Sequence, residues 1–300
     1  MAPDLPPRRA FALLALLGRL PQGALSRAFG RLADLPVPRP LRPAVIGGFA
    51  RMMRIDVAEA EKPLADYPSI NAFFVRRLRP GLRSFPVDPT VAASPVDGIV
   101  GQLGRIEAGR LLQAKGRDYG CAHLLDDDDA AAGYEGGVFL TLYLSPRHYH
   151  RIHAPCPGTI GQARHVPGAL LPVHAPAVAH VPDLFPRNER LICYLDAAAG
   201  ALGRVAVVAV GAYNVGRISA AFDPEWNAPP GAGARVTNQP GARALTRSYS
   251  PPVPVAPGAE IMAFHLGSTV VLLFQPGVRL EPALAPGQEL RLGQPVASAR

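Results

Sequence analysis

Cysteine is scarce in this chain: Cys121, Cys156 and Cys193 are the only three, and no two form a C-x-x-C pair. An odd, scattered set excludes a disulfide framework, leaves a structural zinc site without its usual ligand spacing, and suits a reducing cytoplasm. Aromatic residues are few as well. One tryptophan and dispersed tyrosines give no aromatic and basic platform for nucleic acid. Long apolar runs are also lacking: the longest in the N-terminal region, from Ala10 to Gly18, is about half of the ~20 residues that cross a bilayer, so no transmembrane helix is expected. Between Arg8 and Ala50 lysine and acidic residues are nearly absent, which leaves arginines alternating with apolar side chains in RRAFALLALLGRL, LSRAFGRL and LRPAVIGGFARMMR.

That basic, amphipathic stretch predicts helices lying in a membrane interface, where arginines meet an anionic leaflet and leucine and phenylalanine enter the acyl region. Two other readings are ordinary helices packed on the core and the start of a secretory signal, for which a small-residue cleavage site is poorly formed. The net charge of +8, from 31 basic against 23 acidic residues, agrees with an anionic partner surface. The 48% hydrophobic content supports a real core, and 34 prolines with 30 glycines, lacking a collagen-like period, read as turns between short strands. Helices are expected from about residue 8 to 60 and over 70–78, where INAFFVRRL has helical spacing. Strands follow: GGVFLTLYL, RLICYLD, RVAVVAVGAYNVGRI and STVVLLF are β-rich runs bounded by Gly, Pro and Asn. The expected class is α+β, a mainly antiparallel β sandwich or barrel-like catalytic core (89–300) behind an N-terminal amphipathic helical region (1–88). Residues 221–258, rich in Pro, Gly and Ala, read as a long loop. The run Asp126 to Asp129 lacks alternating ligand spacing and reads as a solvated loop with no function.

Three separated segments carry chemistry. Leu266-Gly267-Ser268-Thr269 places a serine after a glycine, just before the apolar run VVLLF. A serine hydroxyl can attack the preceding carbonyl if the backbone bends back, and glycine leaves no Cβ in the way. SPVDGIVG at 94–101 fixes Asp97 at a turn, and YLSPRHYHRIHAP at 143–155 carries His148, His150 and His153. Together they offer a serine, an imidazole and a carboxylate, the set in which the acid orients the base and the base takes the hydroxyl proton. Each segment has a plainer reading: a Gly-Ser turn, a turn-capping aspartate, and histidines hydrogen-bonded at a strand end or, in H-x-H-x-x-H, metal ligands.

These segments, with KPLADYPSINAFFVRRLRP (62–80), LLQAKGRDY (111–119), HVPGALLPV (165–173) and LFPRNER (184–190), resemble the bacterial phosphatidylserine decarboxylase proenzymes over nearly the whole chain. The resemblance implies self-cleavage between Gly267 and Ser268 into a large (1–267) and a small (268–300) chain, with Ser268 converted to a covalent pyruvoyl group. It implies Ser268 as nucleophile, His153 as base and Asp97 as orienting acid; the carbanion equivalent left by decarboxylation must be reprotonated, and His150, in the same cluster, is the candidate proton donor. No metal or external cofactor is implied, because the pyruvoyl ketone forms an imine with the substrate amine and accepts the electrons released as carbon dioxide leaves. The partners implied are phosphatidylserine and an anionic membrane surface, at the cytoplasmic face of the cell membrane, with a homodimer left open. His148 stands where the family is often acidic, and Met262 where it usually has glycine. A serine hydrolase using the same triad without self-conversion, and a non-catalytic membrane-tethered β module, are the alternatives.

Overall fold

The structure is a computed structural model that describes residues 22–198, 200, 202–213, 217–227, 237–265 and 268–299, with Ser268 described by its backbone alone. The interfacial segment expected at 8–20 and the scissile glycine Gly267 lie outside the described residues. Helices α1 (Gln22–Asp34), α2 (Arg42–Met53) and α3 (Ile70–Phe74) come first. Ile46 and Ala50 of α2, Phe73 of α3, and Ile55, Ala60 and Tyr67 from the segment joining them form a small core of their own. α3 ends after five residues, short of the helix expected over 70–78, because the chain beyond it pairs as an extended segment. Glu61 donates its N–H to the Arg77 carbonyl and Arg79 to the Glu59 carbonyl, both at 2.9 Å. Ladder bonds to a distant segment thus replace helical ones, and Pro80 closes the run.

The remainder is strand-rich. In chain order it comprises β1 (Val91–Ala93), β2 (Gly98–Arg105), β3 (Arg110–Ala114), β4 (Arg117–Gly120), β5 (Val138–Leu144), β6 (Arg151–His153), β7 (Gly158–Val166) and β8 (Arg190–Ala197). It continues with β9 (Arg204–Val210), β10 (Arg217–Ala220), β11 (Leu245–Val255), β12 (Glu260–His265), β13 (Ser268–Phe274), β14 (Val278–Leu280), β15 (Glu289–Leu290) and β16 (Pro295–Ala299). Eight strands form one antiparallel sheet in the order β11-β7-β8-β9-β13-β5-β2-β15, whose two edges do not close into a barrel. A second sheet of three strands, β10-β12-β6, and a third, β1-β16-β14, complete a sandwich-like α+β core.

β13 is central, paired to β5 on one side and β9 on the other. Val270, Val271, Leu272 and Leu273 are fully buried, so both faces of this strand are covered, and its sequence is continuously apolar rather than alternating. Each such side chain contributes about 1.5–3 kcal/mol on burial, which anchors the strand that Ser268 begins.

Part of the segment expected as a loop is β11, an eleven-residue edge strand on β7. Its prolines are compatible with strand structure because an edge strand needs ladder bonds on one side only, and the pairing is interrupted between Ser248 and Val253. The aspartate run is structural at its start. Asp126 ends a short helix and pairs with Arg164, while the Asp127 carboxylate accepts the Ala130 N–H and caps the next turn.

Candidate active site

The chain leaves β12 in the small sheet at His265 and enters β13 in the large sheet at Ser268. Ser268 stands opposite Leu144, the last residue of β5, and the histidine segment starts immediately after Leu144. The fold therefore brings the head of the Ser268 strand and the loop 145–150 together.

The three histidines face different partners. His148 accepts the Ser145 N–H at Nδ1 (3.1 Å), and its Nε2 lies 3.3 Å from Glu289. His150 is fully buried, its ring tilted by 40° against that of Phe74 with centroids 4.1 Å apart, and donates Nδ1–H to the His148 carbonyl at 2.8 Å. Its Nε2 is therefore an acceptor, and it has no hydrogen-bond partner among the described residues. Burial, with Arg76 and His148 adding to it, pushes the imidazole down to about 3, so the ring is neutral. His153 donates Nδ1–H to the Gly258 carbonyl (2.7 Å) and accepts the Tyr149 hydroxyl at Nε2 (3.0 Å). Burial lowers its pKa, against the raising effects of Gly258, Glu260 and, through space, Asp97. With three separate sets of partners, the histidines do not converge on one point as metal ligands would. No group of metal-ligating side chains is found among the described residues.

Asp97 is held elsewhere. Its carboxylate accepts Nε–H and Nη2–H of Arg83 (3.1 and 2.7 Å) and the Leu292 N–H (2.7 Å). Arg83 also grips Glu59. Burial opposes the charge on this guanidinium, but the hydrogen bonds to Asp97 and Glu59 outweigh it and hold the arginine above its ordinary pKa. No hydrogen bond joins Asp97 to His153. The two are brought near one another by the backbone, where the His153 N–H donates to the Pro95 carbonyl at 2.9 Å. Along the small sheet, His153 pairs with Glu260 at the start of β12, whereas the His150 carbonyl accepts from Phe264 near its end. Five strand steps, about 17 Å, separate Glu260 from His265. Of the two histidines, His150 is the one at the Ser268 end of β12.

Four further residues matter to this geometry. Gly258 has φ +70°, and a Cβ there would meet the Phe85 ring at 2.4 Å, so glycine is needed where the carbonyl that orients His153 is presented. Tyr149 closes the other face of His153, and Arg83 clamps Asp97 beside a cavity of about 340 Å³. Arg76 is 2% exposed, with Nε and Nη1 unpartnered among the described residues. Tyr149 and Gly258 lie within or next to chemistry-bearing strings; nothing in FFVRRLRPGLR separates Arg76 and Arg83 from their exposed neighbours.

A family model described as phosphatidylserine decarboxylase matches residues 70–298, a span that contains Ser268, Asp97, the three histidines, Arg76 and Arg83. The chain belongs to the phosphatidylserine decarboxylase family. It is 47% identical over 287 residues to the phosphatidylserine decarboxylase proenzyme of Anaeromyxobacter sp. (strain K), covering 95% of this chain and 98% of that protein. The proenzymes of Myxococcus xanthus (strain DK1622) and Azotobacter vinelandii (strain DJ / ATCC BAA-1303) are 42% and 45% identical, with 94% and 95% of this chain covered and 96% and 98% of theirs. Membership of the phosphatidylserine decarboxylase family makes the chain a carboxy-lyase produced as a self-processing precursor.

Proposed function

We propose that this chain cuts itself between Gly267 and Ser268, converts Ser268 to a pyruvoyl group, and decarboxylates phosphatidylserine to phosphatidylethanolamine. The single observation that carries the reading is the passage of the chain between two sheets at residues 265–268, with the neutral, buried His150 at the same end of β12. In self-cleavage the Ser268 hydroxyl attacks the Gly267 carbonyl, the peptide becomes an ester, and β-elimination frees the glycine carboxylate. The dehydroalanine left behind tautomerises and loses ammonia to water, giving the ketone. The surroundings suit such a group: they are buried, and the His150 Nε2 has no partner among the described residues. The pyruvoyl group supplies an electron sink for the carbon–carbon bond that breaks.

The chain's own residues then manage protons. His150 Nε2, an acceptor held in that tautomer by the His148 carbonyl, takes a proton beside Ser268 and returns one to the carbon that loses carbon dioxide. Asp97 and Arg83 brace the site: Asp97 in the large chain holds the Leu292 N–H in the small one across the cut. A second assignment, His153 as the cleavage base with Asp97 as its acid, draws support from its tautomer, which also leaves Nε2 unprotonated. In that assignment Asp97 acts through space and the Tyr149 hydroxyl must leave Nε2. Processing of His150→Ala and His153→Ala separates the two: a base at His150 leaves His150→Ala uncut, and a base at His153 leaves His153→Ala uncut.

The helical region, residues 1–88, is proposed to dock on an anionic membrane at the cytoplasmic face, and 89–300 to form the catalytic unit. Phe29, Leu32, Leu41, Val45 and Met52 are exposed on or beside α1 and α2, among Arg31, Arg39 and Arg51. No described helix is long and apolar enough to cross a membrane. The test is carbon dioxide release from phosphatidylserine in mixed micelles, before and after hydroxylamine, which condenses with ketones. Release that hydroxylamine abolishes is expected; release of fatty acid or phosphoserine instead would mark a hydrolase.

A further inference from the structure

β12 ends at His265, and only Leu266 and Gly267 separate it from Ser268. At this end β10 pairs with it through Arg217, whereas the register with β6 stops at Ala263. The buried His265 side chain is tied to residues far away in sequence. Its Nδ1 lies 3.1 Å from Asn71 Nδ2 of α3, and its Nε2 lies 3.1 Å from the Ser219 hydroxyl of β10. The same Asn71 nitrogen donates to the carboxylate of Asp34, the last residue of α1, at 2.6 Å, and Arg217 pairs with the other oxygen of Asp34 at 3.3 Å. A carboxylate only accepts, so it fixes which way round the amide sits. Turning the amide over would set Asn71 Oδ1, which has no partner among the described residues, against Asp34. His265 Nδ1 is therefore an acceptor, and its proton sits on Nε2, donated to Ser219. Asn71, His265 and Ser219 are all buried. Buried polar side chains cost desolvation and, once paired, hold one arrangement. Asp34 also stands at the helix end where the macrodipole disfavours an acid, a placement that its bonds to Asn71 and Arg217 offset.

We propose that Asp34, Asn71 and His265 form a positioning chain for self-cleavage, which holds the N-terminal side of the scissile bond against the helical region; the proposal rests on the reading that the cut falls between Gly267 and Ser268. Attack of a hydroxyl on the carbonyl before it succeeds only when both are held close and aligned, and a misplacement of about 1 Å can cost on the order of a hundredfold in rate. Pairing to β5 and β9 holds the Ser268 side. On the other side the placement of His265 limits where the Gly267 carbonyl can lie, two residues on. A strand end paired to one neighbour can still pivot about that pairing. The bonds from the His265 ring to α3 and β10 remove this freedom. These are positioning residues, acting through residues 266 and 267 on the reacting atoms. The helical region is thereby part of the seat in which the precursor matures, in addition to any contact that it makes with lipid.

The test times the conversion of full-length precursor, made by cell-free translation, into two chains. Asn71→Leu and His265→Leu remove the bond between α3 and the end of β12, and each should slow conversion on the order of tenfold to a hundredfold. The double variant should be no slower than the slower single one, because one chain of bonds is broken only once. His265→Asn, whose Oδ1 stands where Nδ1 stood and can accept from Asn71, should recover most of the rate. Each variant combined with Ser268→Ala, and therefore uncut, should melt within a few degrees of Ser268→Ala alone. Conversion of His265→Leu at the wild-type rate would overturn the proposal. Equal slowing by His265→Leu and His265→Asn would overturn it too, since the bond to Asn71 would then not matter, and so would single effects that multiply in the double variant. Melting temperatures lowered by tens of degrees in every variant would make the chain a support of the whole fold and overturn its specific role. In all these outcomes the wild type is still cut and the cleavage reading stands. A wild-type precursor that stays uncut would defeat that reading, and the positioning chain with it.

Discussion

Acidification should weaken the folded protein through His150, by an amount that follows from its burial. The ring is fully buried and neutral, with a pKa pushed down to about 3, whereas an unfolded histidine titrates near 6.5. Because the folded-state value is the lower one, the unfolded chain takes up a proton that the folded chain refuses. Stability is therefore intact above about pH 6.5 and is lost as pH falls toward 3, with a slope of up to about 1.4 kcal/mol per pH unit. Between pH 7 and pH 5 the loss from this one group is about 2 kcal/mol. The perturbation is His150→Phe, which keeps a ring against Phe74 but cannot titrate. Both proteins should carry Ser268→Ala, so that a single uncut chain is unfolded, and urea midpoints should be compared at pH 7, 6 and 5. His148, His153 and His174, also lowered by burial, slope in the same direction in both proteins and cancel in the difference. The His150→Phe profile should be flatter by about 2 kcal/mol between pH 7 and 5. Parallel profiles would show that His150 is not a buried neutral base, and its proposed proton chemistry would go with them.

Other consequences are equally direct. Gly258→Ala forces a Cβ onto the Phe85 ring at a φ of +70°, so the melting temperature should drop and the Gly258 carbonyl should move off His153; an unchanged melting temperature would contradict this. Arg83→Met leaves Asp97 and Glu59 facing each other with no cation between them, and urea unfolding should show a loss of about 3–5 kcal/mol, as for a broken buried pair. Leu32→Glu with Met52→Glu, at exposed positions on α1 and α2, should abolish co-flotation with vesicles containing anionic lipid while leaving the melting temperature within a few degrees; undiminished flotation would remove these helices from the membrane contact.

The β-rich half was legible because burial on both faces writes itself as a run: VVLLF and RVAVVAV are central strands and look like it. The histidine segment was legible for a similar reason, since an apolar strand delivers a polar cluster to its end. The short length of α3 was not, because its stop comes from pairing with residues 59–61, which no local pattern announces. Prolines hid β11, whose edge position makes them tolerable only once the sheet is known. At the site, Ser268, Asp97 and the histidines all stood out as chemistry-bearing types, but their connections depend on register. Asp97 went to Arg83 and Leu292 rather than to His153, and a pairing of β6 with β12 decides which histidine lies at the Ser268 end. Arg76 carries no sequence mark at all, since burial of one arginine among several is a property of the assembled fold.

Intact-mass spectrometry of the purified protein, made without a C-terminal tag and run beside Ser268→Ala, tests the central claim most directly. The account predicts two chains divided at Gly267 and Ser268, the smaller one lighter by one ammonia than a serine-headed fragment, and a single uncut chain for Ser268→Ala. One uncut wild-type chain, or a small chain that still begins with serine, would contradict it.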